Sequence, residues 1–484
     1  MNRPIRRVAI FAILLVTALL LNVTWVQAFE ASRLDNRLGN QRTLLASYAR
    51  QRGPILVGGQ PVARSVATSD RLKYLRTYPG GPEYAPVTGF ASFLYGTYGI
   101  ENAYDTELSG TDDRLFVRRI VDVVTGAQPQ GASVELTLDP AAQDAAWKGL
   151  ARREGAVVAI EPSTGRVLAL ASSPSYDPSG LSSHDGGAIR ADWTRLAPAS
   201  PASPVLNRAS SQVYPPGSTF KLVTAAAALD SGKYTPDTVL PGPAALTLTG
   251  TTTRLPNENS ASCGPRDQVS LRTALAISCN TAFAALGGRL GQAALRRQAQ
   301  AFGFGTALLP DLAAARSRFP ATLDPAQTQL SAIGQFDVSA SVLQMASIGA
   351  TIADGGVRHT PFLVSRVLSS NLQEIAHTDP SKGVAAMTPG AAAALTSMMV
   401  TVVESGTGTP ARIRGVQVAG KTGTAQVAAG VKPVAWFVAF APATDPRVAV
   451  AVAIPNAGIP SQDVAGGRLA APIARAVLQA VLGR

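Results

Sequence analysis

Cysteine, histidine and lysine are scarce in this chain, and each scarcity removes some chemistry. Among 484 residues there are 3 His (His184, His359, His377), none in a catalytic-looking context. No HExxH, GxSxG or paired metal-ligand spacing occurs, which argues against zinc-peptidase and Ser-His-Asp hydrolase chemistry. Neither a metal nor a cofactor is expected. The 2 Cys are Cys263 and Cys279. In an oxidising compartment they close one disulfide, worth about 3 kcal/mol for a loop of that size in the chain-entropy model; otherwise they are two small buried thiols. Of the 43 basic residues only 7 are Lys, the rest Arg. Gly and Pro, at 44 and 34, are scattered without a period, which excludes collagen-like and low-complexity chains. No internal repeat is visible. With 46% hydrophobic residues the chain folds, and its length suggests two or three domains.

The longest uncharged apolar run is 8–29, VAIFAILLVTALLLNVTWVQAF, long enough to cross about 30 Å of hydrocarbon as a helix. Arg3, Arg6 and Arg7 precede it and Glu30 follows, so the positive-inside bias puts the N-terminus in the cytoplasm and the rest of the chain outside. A cleaved signal peptide is the alternative, with Val26-Gln27-Ala28 as a small-residue site, but the apolar run exceeds a signal h-region and favours retention. The net charge of +12 is spread rather than clustered. In an exported protein it reads as a solvated surface facing anionic lipids and wall polymers, not a nucleic-acid interface.

After the span, 30–52 has an Arg-studded helical pattern, and short alternating runs with Gly and Pro continue to about Ala132 as a stalk of mixed short strands. A turn-rich boundary at 125–131 precedes a strand-like run at 134–138 and a helix capped by Asp139 with Pro140 at its first position. Strand runs at 156–161 and 166–172 flank Pro162-Ser163-Thr164-Gly165 as a hairpin. Helical patterns cover 219–229, 271–287, 292–302, 339–353 and 389–404. Strand-like runs at 416–426, 434–441 and 448–454 and an Ala-rich helix at 466–482 close the chain. This order describes an α+β domain whose sheet is assembled from both ends of the sequence.

Within that frame, Ser218-Thr219-Phe220-Lys221 follows Tyr214-Pro215-Pro216-Gly217 and opens a helix, so Ser218 and Lys221 share one face of its first turn. Ser218 is the only serine three residues before a lysine, so the SxxK match is unique. A buried amine with a second cation nearby has a lowered pKa and can take the serine proton; arginine could not. Ser278-Cys279-Asn280, a Ser-x-Asn at a helix-to-helix corner, offers a hydroxyl for proton relay. Lys421-Thr422-Gly423-Thr424 lies in a strand-like run, where Lys421 supplies positive charge for a carboxylate and Gly423 permits close backbone approach. Each pattern alone is weak, but the ordered triple is a strong signature of acyl-serine chemistry.

With these motifs the chain resembles the class B penicillin-binding proteins, and among them the short A-type members of actinobacteria. The resemblance extends to Arg52-Gly53-Pro54-Ile55, Tyr98-Gly99-Ile100-Glu101, Leu108-Ser109-Gly110, the stretch 155–174 (GAVVAIEPSTGRVLALASSP), Asn207-Arg208, Ile333-Gly334-Gln335, Leu343-Gln344-Met345-Ala346 and Trp436-Phe437. It implies a penicillin-binding/β-lactamase-like transpeptidase domain over 133–484, with an antiparallel sheet flanked by helices and an all-helical subdomain. Before it come a mixed α/β, dimerisation-like stalk (30–132), one transmembrane helix (8–29) and a cytoplasmic tail (1–7). The implied activity is serine D,D-transpeptidation of peptidoglycan stem peptides ending in D-Ala-D-Ala, in cell wall growth and division, with β-lactams acylating the same Ser218. Lys221 is the implied base, Ser278 and Asn280 shuttle the proton and hold the substrate amide, and Lys421, Thr422 and Thr424 bind the donor carboxylate. The N–H groups of Ser218 and Thr424 form the oxyanion hole.

Two features depart from the family pattern: the Arg-Gly-x-Ile segment lacks an Asp-Arg continuation, and Cys279 occupies the middle of the Ser-x-Asn, where a bridge to Cys263 would staple the active-site corner. The stalk is too short for a glycosyltransferase, so a polytopic polymerase of the shape, elongation, division and sporulation type is the implied partner. A D,D-carboxypeptidase shares these catalytic residues and lets water resolve the acyl-enzyme; the stalk favours the transpeptidase. A β-lactamase has no need of a retained span and stalk, and intact Ser218 and Lys221 argue against a dead scaffold.

Overall fold

The computed structural model describes residues 2–30, 48–115, 130–151, 153–425, 432–460 and 464–484. Residues 31–47 of the helical pattern expected at 30–52, most of the boundary at 125–131 and the strand end at Gln426 fall outside the described residues.

The first helix is Asn2–Trp25, continued by a π-helical turn Val26–Glu30. The stretch Arg3–Glu30 has mean hydropathy 2.4 and buries none of its side chains in the protein, so it is long and apolar enough to cross a membrane. Leu14, Leu19 and Phe29 stand fully out from it, as a lipid-facing helix requires.

The stalk is organised by a six-stranded sheet in the order Glu374–His377, Val364–Leu368, Ser133–Leu136, Ile55–Val57, Gln60–Ala67, Tyr74–Thr77. Gly58 and Gly59, with φ of 55° and 74°, make the two-residue hairpin turn between the fourth and fifth strands, a conformation that fits the twist of the paired strands and that side chains disfavour. Ile55–Val57 runs parallel to Ser133–Leu136. This sheet takes strands from both sides of the expected 132/133 boundary, including a hairpin from the far end of the helical block.

The second sheet has five antiparallel strands in the order Ala419–Ala425, Val434–Ala441, Val448–Asn456, Glu154–Ile160, Val167–Ser173. The expected hairpin is its far edge and the three expected C-terminal strands complete it, so the sheet is built from both ends of the chain. Period-2 geometry sorts its side chains onto two faces. Val157, Ala159, Phe437 and Val450 pack with Ala142, Ala146, Ala474 and Val477 of the helices Pro140–Leu150 and Ala471–Val481. Ala156, Val158, Trp436 and Val438 face the other core, with Met345, Ile348 and Ile352 of the helix Val342–Ala353. Both faces being covered explains why these strands read as continuous apolar runs rather than alternating ones.

The helical block consists of Lys221–Asp230, Leu271–Ala276, Asn280–Ala301, Pro325–Ser331, Val342–Ala353 and Pro389–Ser405. Asp139 caps Pro140–Leu150 by accepting from the Ala142 N–H at 2.8 Å, as expected. The helix expected at 271–287 is two helices. Ser278 takes φ 61° and Cys279 caps the next helix, whose first turn therefore starts at Asn280. The run expected at 292–302 is the second half of that same helix, bent at Gly291. The C-terminal helix is a short turn, Gly466–Leu469, followed by Ala471–Val481. Two small strand pairs, Val239–Pro241 with Gln268–Ser270 and Ala245–Thr247 with Arg254–Pro256, were not expected from the sequence.

Candidate active site

Ser218 lies in a 3-10 turn, Gly217–Phe220, that leads directly into the helix Lys221–Asp230. The turn is pinned from two sides. The Gly217 N–H donates to the Gly334 carbonyl at 3.0 Å, and the Thr219 hydroxyl donates to the Pro216 carbonyl at 2.7 Å. The Trp436 indole N–H donates to the Pro215 carbonyl at 3.0 Å, tying the approach to the turn onto the sheet. Gly423 faces it across the sheet edge: a Cβ there would come within 2.9 Å of Thr219 Cγ2 and 3.1 Å of Trp436 Cβ. The smallness of Gly423 therefore lets the serine-bearing turn close onto the strand Ala419–Ala425.

The structure brings the three motifs together. Lys221 Nζ lies 3.0 Å from Ser218 Oγ and 2.7 Å from both the Ser278 carbonyl and Asn280 Oδ1. Ser278 Oγ stands between the two amines, 3.3 Å from Lys221 Nζ and 2.9 Å from Lys421 Nζ. Lys421 Nζ also donates to the Thr422 carbonyl at 2.7 Å, and the Thr422 hydroxyl meets that of Thr407 at 2.6 Å. Ser218, Asn280 and Thr424 remain partly exposed, while both lysines are fully buried.

Burial first, and then the charge of Lys421, push the Lys221 amine well below the ordinary lysine range, with Glu258 opposing them. Burial likewise pushes Lys421 down to about 7, again with Glu258 opposing. The arrangement can pass a proton from Ser218 Oγ to Lys221 and onward through Ser278 Oγ, because each step spans a hydrogen-bonded pair.

The corner holding Ser278 is stapled twice. Cys263 and Cys279 form a disulfide. Asn257, which sequence reasoning missed, accepts from the Asn280 and Thr281 N–H groups at 3.0 Å each and donates to the Pro243 and Ala261 carbonyls at 2.9 Å each. Thr407 was missed as well. Neither residue has a periodic signal, since each acts through partners that the fold, not the local sequence, sets beside it. The three histidines serve elsewhere: His184 meets Asp70, His359 meets Asp354, and His377 meets Glu374.

Comparison with known proteins bears directly on this geometry. Residues 155–479 match the penicillin binding protein transpeptidase domain, and residues 52–134 match the penicillin binding protein A dimerisation domain. The chain is 45% identical to the peptidoglycan D,D-transpeptidase PbpA of Mycolicibacterium smegmatis, an alignment covering 100% of this chain and 99% of that protein. It also superimposes on penicillin-binding protein A from Mycobacterium tuberculosis, solved as a ceftriaxone acyl-enzyme complex, with TM-score 0.88 and 45% identity over 91% of this chain and 100% of the other. PBP2 from Pseudomonas aeruginosa, at 29% identity, matches with TM-score 0.74 over 89% of this chain and 95% of the other. With an SxxK serine, a Ser-x-Asn hydroxyl and a KTG lysine within hydrogen-bonding reach, a transpeptidase-domain match over residues 155–479 and 45% identity to a relative across 100% of its length, the chain belongs to the penicillin-binding protein transpeptidase family.

Proposed function

We infer that this chain is a membrane-anchored peptidoglycan D,D-transpeptidase, the activity named for its full-length relatives. The observation that carries the reading is the Lys221 amine, buried, driven toward its neutral form and 3.0 Å from Ser218 Oγ. Ser218 Oγ gives its proton to Lys221 and attacks the carbonyl carbon of the penultimate D-Ala. The C–N bond to the terminal D-Ala breaks, and the leaving amine takes a proton relayed through Ser278 Oγ. An acceptor amine then attacks the acyl-enzyme and returns a proton to Ser218. Lys421, Thr422 and Thr424 hold the donor carboxylate, Asn280 holds the substrate amide, and the N–H groups of Ser218 and Thr424 stabilise the oxyanion. β-Lactams, read as D-Ala-D-Ala mimics, acylate Ser218 and stay there.

Three further parts belong to the same reading. The chain divides into a cytoplasmic tail (1–7), an anchor (8–29), a stalk (30–132) and a transpeptidase domain (133–484). The arginines before the anchor support placing the catalytic domain on the outer face of the cytoplasmic membrane. Glycan polymerisation is left to a polytopic glycosyltransferase of the shape, elongation, division and sporulation type.

Fluorescent penicillin tests the assignment by gel and intact mass. The wild-type chain should gain one label, and Ser218→Ala and Lys221→Ala should gain none. A folded wild type that stays unlabelled would overturn it.

A further inference from the structure

Beside Ser278 a cleft of about 230 Å³ runs between Glu258 and Asn259 on one side and Ile277, Ser278 and Cys279 on the other. Glu258 is exposed on its wall and forms no hydrogen bond or ion pair with any described residue. Its position is nonetheless fixed. Asn257, the residue before it, is bonded to the Asn280 and Thr281 backbone, and Cys263, a few residues on, is bridged to Cys279. Ile277 lies across the cleft with 44% of its surface exposed, a large apolar side chain left facing solvent next to the reacting groups.

We propose that this cleft is the acceptor subsite and that Glu258 is its specificity-determining residue, recruiting an aliphatic primary amine whose hydrocarbon arm lies along Ile277. The inference rests on the transpeptidase reading above.

Charge decides the direction of approach. The donor ends in a carboxylate, which the Lys421 and Thr422 side attracts and Glu258 repels. The acceptor arrives as an ammonium, which Glu258 attracts and the charged Lys421 repels. The two substrates are therefore sorted to opposite walls of one site, with Ser278 Oγ between them. At the acyl-enzyme the ammonium releases one proton to solvent, and the free amine attacks the acyl carbon. The new C–N bond forms as the C–O bond to Ser218 breaks, and the second amine proton passes by way of Ser278 and Lys221 to Ser218 Oγ. A carboxylate at the mouth of this path raises the local concentration of amine over water, which is the competition that separates transpeptidation from hydrolysis.

The test uses the full chain in detergent, a thioester donor that acylates Ser218, and two nucleophiles competing with water: Nα-acetyl-lysine amide and hydroxylamine, which has neither charge at neutral pH nor an arm. Glu258→Gln should lower the ratio of aminolysis to hydrolysis for Nα-acetyl-lysine amide by about tenfold, the scale of one charge-assisted contact, and Glu258→Asp should restore most of it. The hydroxylamine ratio should stay within about twofold of wild type, since hydroxylamine does not use the contact and a ratio taken from one acyl-enzyme cancels the effect of Glu258 on the lysine pair. An unchanged lysine-amide ratio, or an equal loss with hydroxylamine, overturns the acceptor role while leaving the transpeptidase reading intact. A wild type that takes up neither thioester nor penicillin removes the transpeptidase reading and this inference with it.

Discussion

At Ser218 the proposed reaction depends on one amine being neutral while another, close by, stays charged. Both lysines are driven down by burial, Lys221 well below the usual range and Lys421 to about 7. On the proposed mechanism the charge-neutral form of Lys221 is the base, so acylation should rise as pH climbs through its depressed pKa. On the same mechanism the protonated form of Lys421 holds the carboxylate, so acylation should fall again as pH passes about 7. The second-order rate of penicillin acylation against pH should therefore be a bell with its alkaline limb near neutrality. A flat profile up to pH 9 would show that Lys421 keeps its proton. The choice of Ser218, Lys221, Ser278 and Lys421 was legible in the sequence, because lysine is rare here and the triple is ordered. Asn257 was not legible, since its importance lies in the Asn280 and Thr281 backbone that the fold brings opposite it.

At the scale of elements, two devices support the site. The Cys263–Cys279 bridge closes a loop of sequence separation 16 and fixes the break between Leu271–Ala276 and Asn280–Ala301 where Ser278 sits at positive φ. Cys263→Ala with Cys279→Ala should cost about 3 kcal/mol of stability by chain entropy, read as a lowered denaturation midpoint, and should slow penicillin acylation because Ser278 loses its anchor. The second device is in the stalk. Glu101, fully buried, accepts from Arg52 Nε at 2.5 Å, Arg76 Nε at 2.6 Å and Tyr78 OH at 3.2 Å. Burial pushes its carboxyl up, but the Arg76 and Arg52 guanidiniums outweigh this and hold it below the ordinary value. Its stabilising contribution is thus present above the unfolded pKa and lost as pH falls through the folded one. Glu101→Leu leaves the buried Arg76 guanidinium without a carboxylate and Arg52 with Asp105 alone, and should cost about 3–5 kcal/mol, measured by urea unfolding at pH 7, with the gap to wild type shrinking in acid. The Arg-Gly-x-Ile and Gly-x-Glu motifs were visible as landmarks. That they are one charge cluster was not, because nothing local pairs Arg52 with Glu101.

Across the whole molecule the two sheets share no strand, and the stalk is tied to the rest of the chain by its own sheet pairing and by cross-contacts. Ser133–Leu136 lies between Ile55–Val57 and Val364–Leu368, so the stalk sheet is completed only when the helical block has folded back. Asn207 Nδ2 donates to the Pro86 carbonyl at 2.8 Å, Ser175 Oγ to the Pro82 carbonyl at 2.6 Å, and the Tyr104 hydroxyl to Asp311 at 3.0 Å. A chain beginning at residue 133 would expose the paired edge of Ser133–Leu136 and should aggregate on size-exclusion chromatography, whereas removal of residues 1–29 alone should give a soluble species that still takes up penicillin. The catalytic sheet was legible because both of its halves carry unbroken apolar runs. The membership of the stalk sheet was not, since pairing across more than two hundred residues leaves no local trace.

The distribution of lysine has a practical consequence. Lys73, Lys148, Lys233, Lys382 and Lys432 are all exposed, and the two lysines of the active site are wholly enclosed. Amine-directed dyes, biotin esters or resins will therefore decorate the outside of the molecule at five known points and leave the reacting pair untouched, so the protein can be tagged or immobilised through its lysines and still report on antibiotics that reach Ser218.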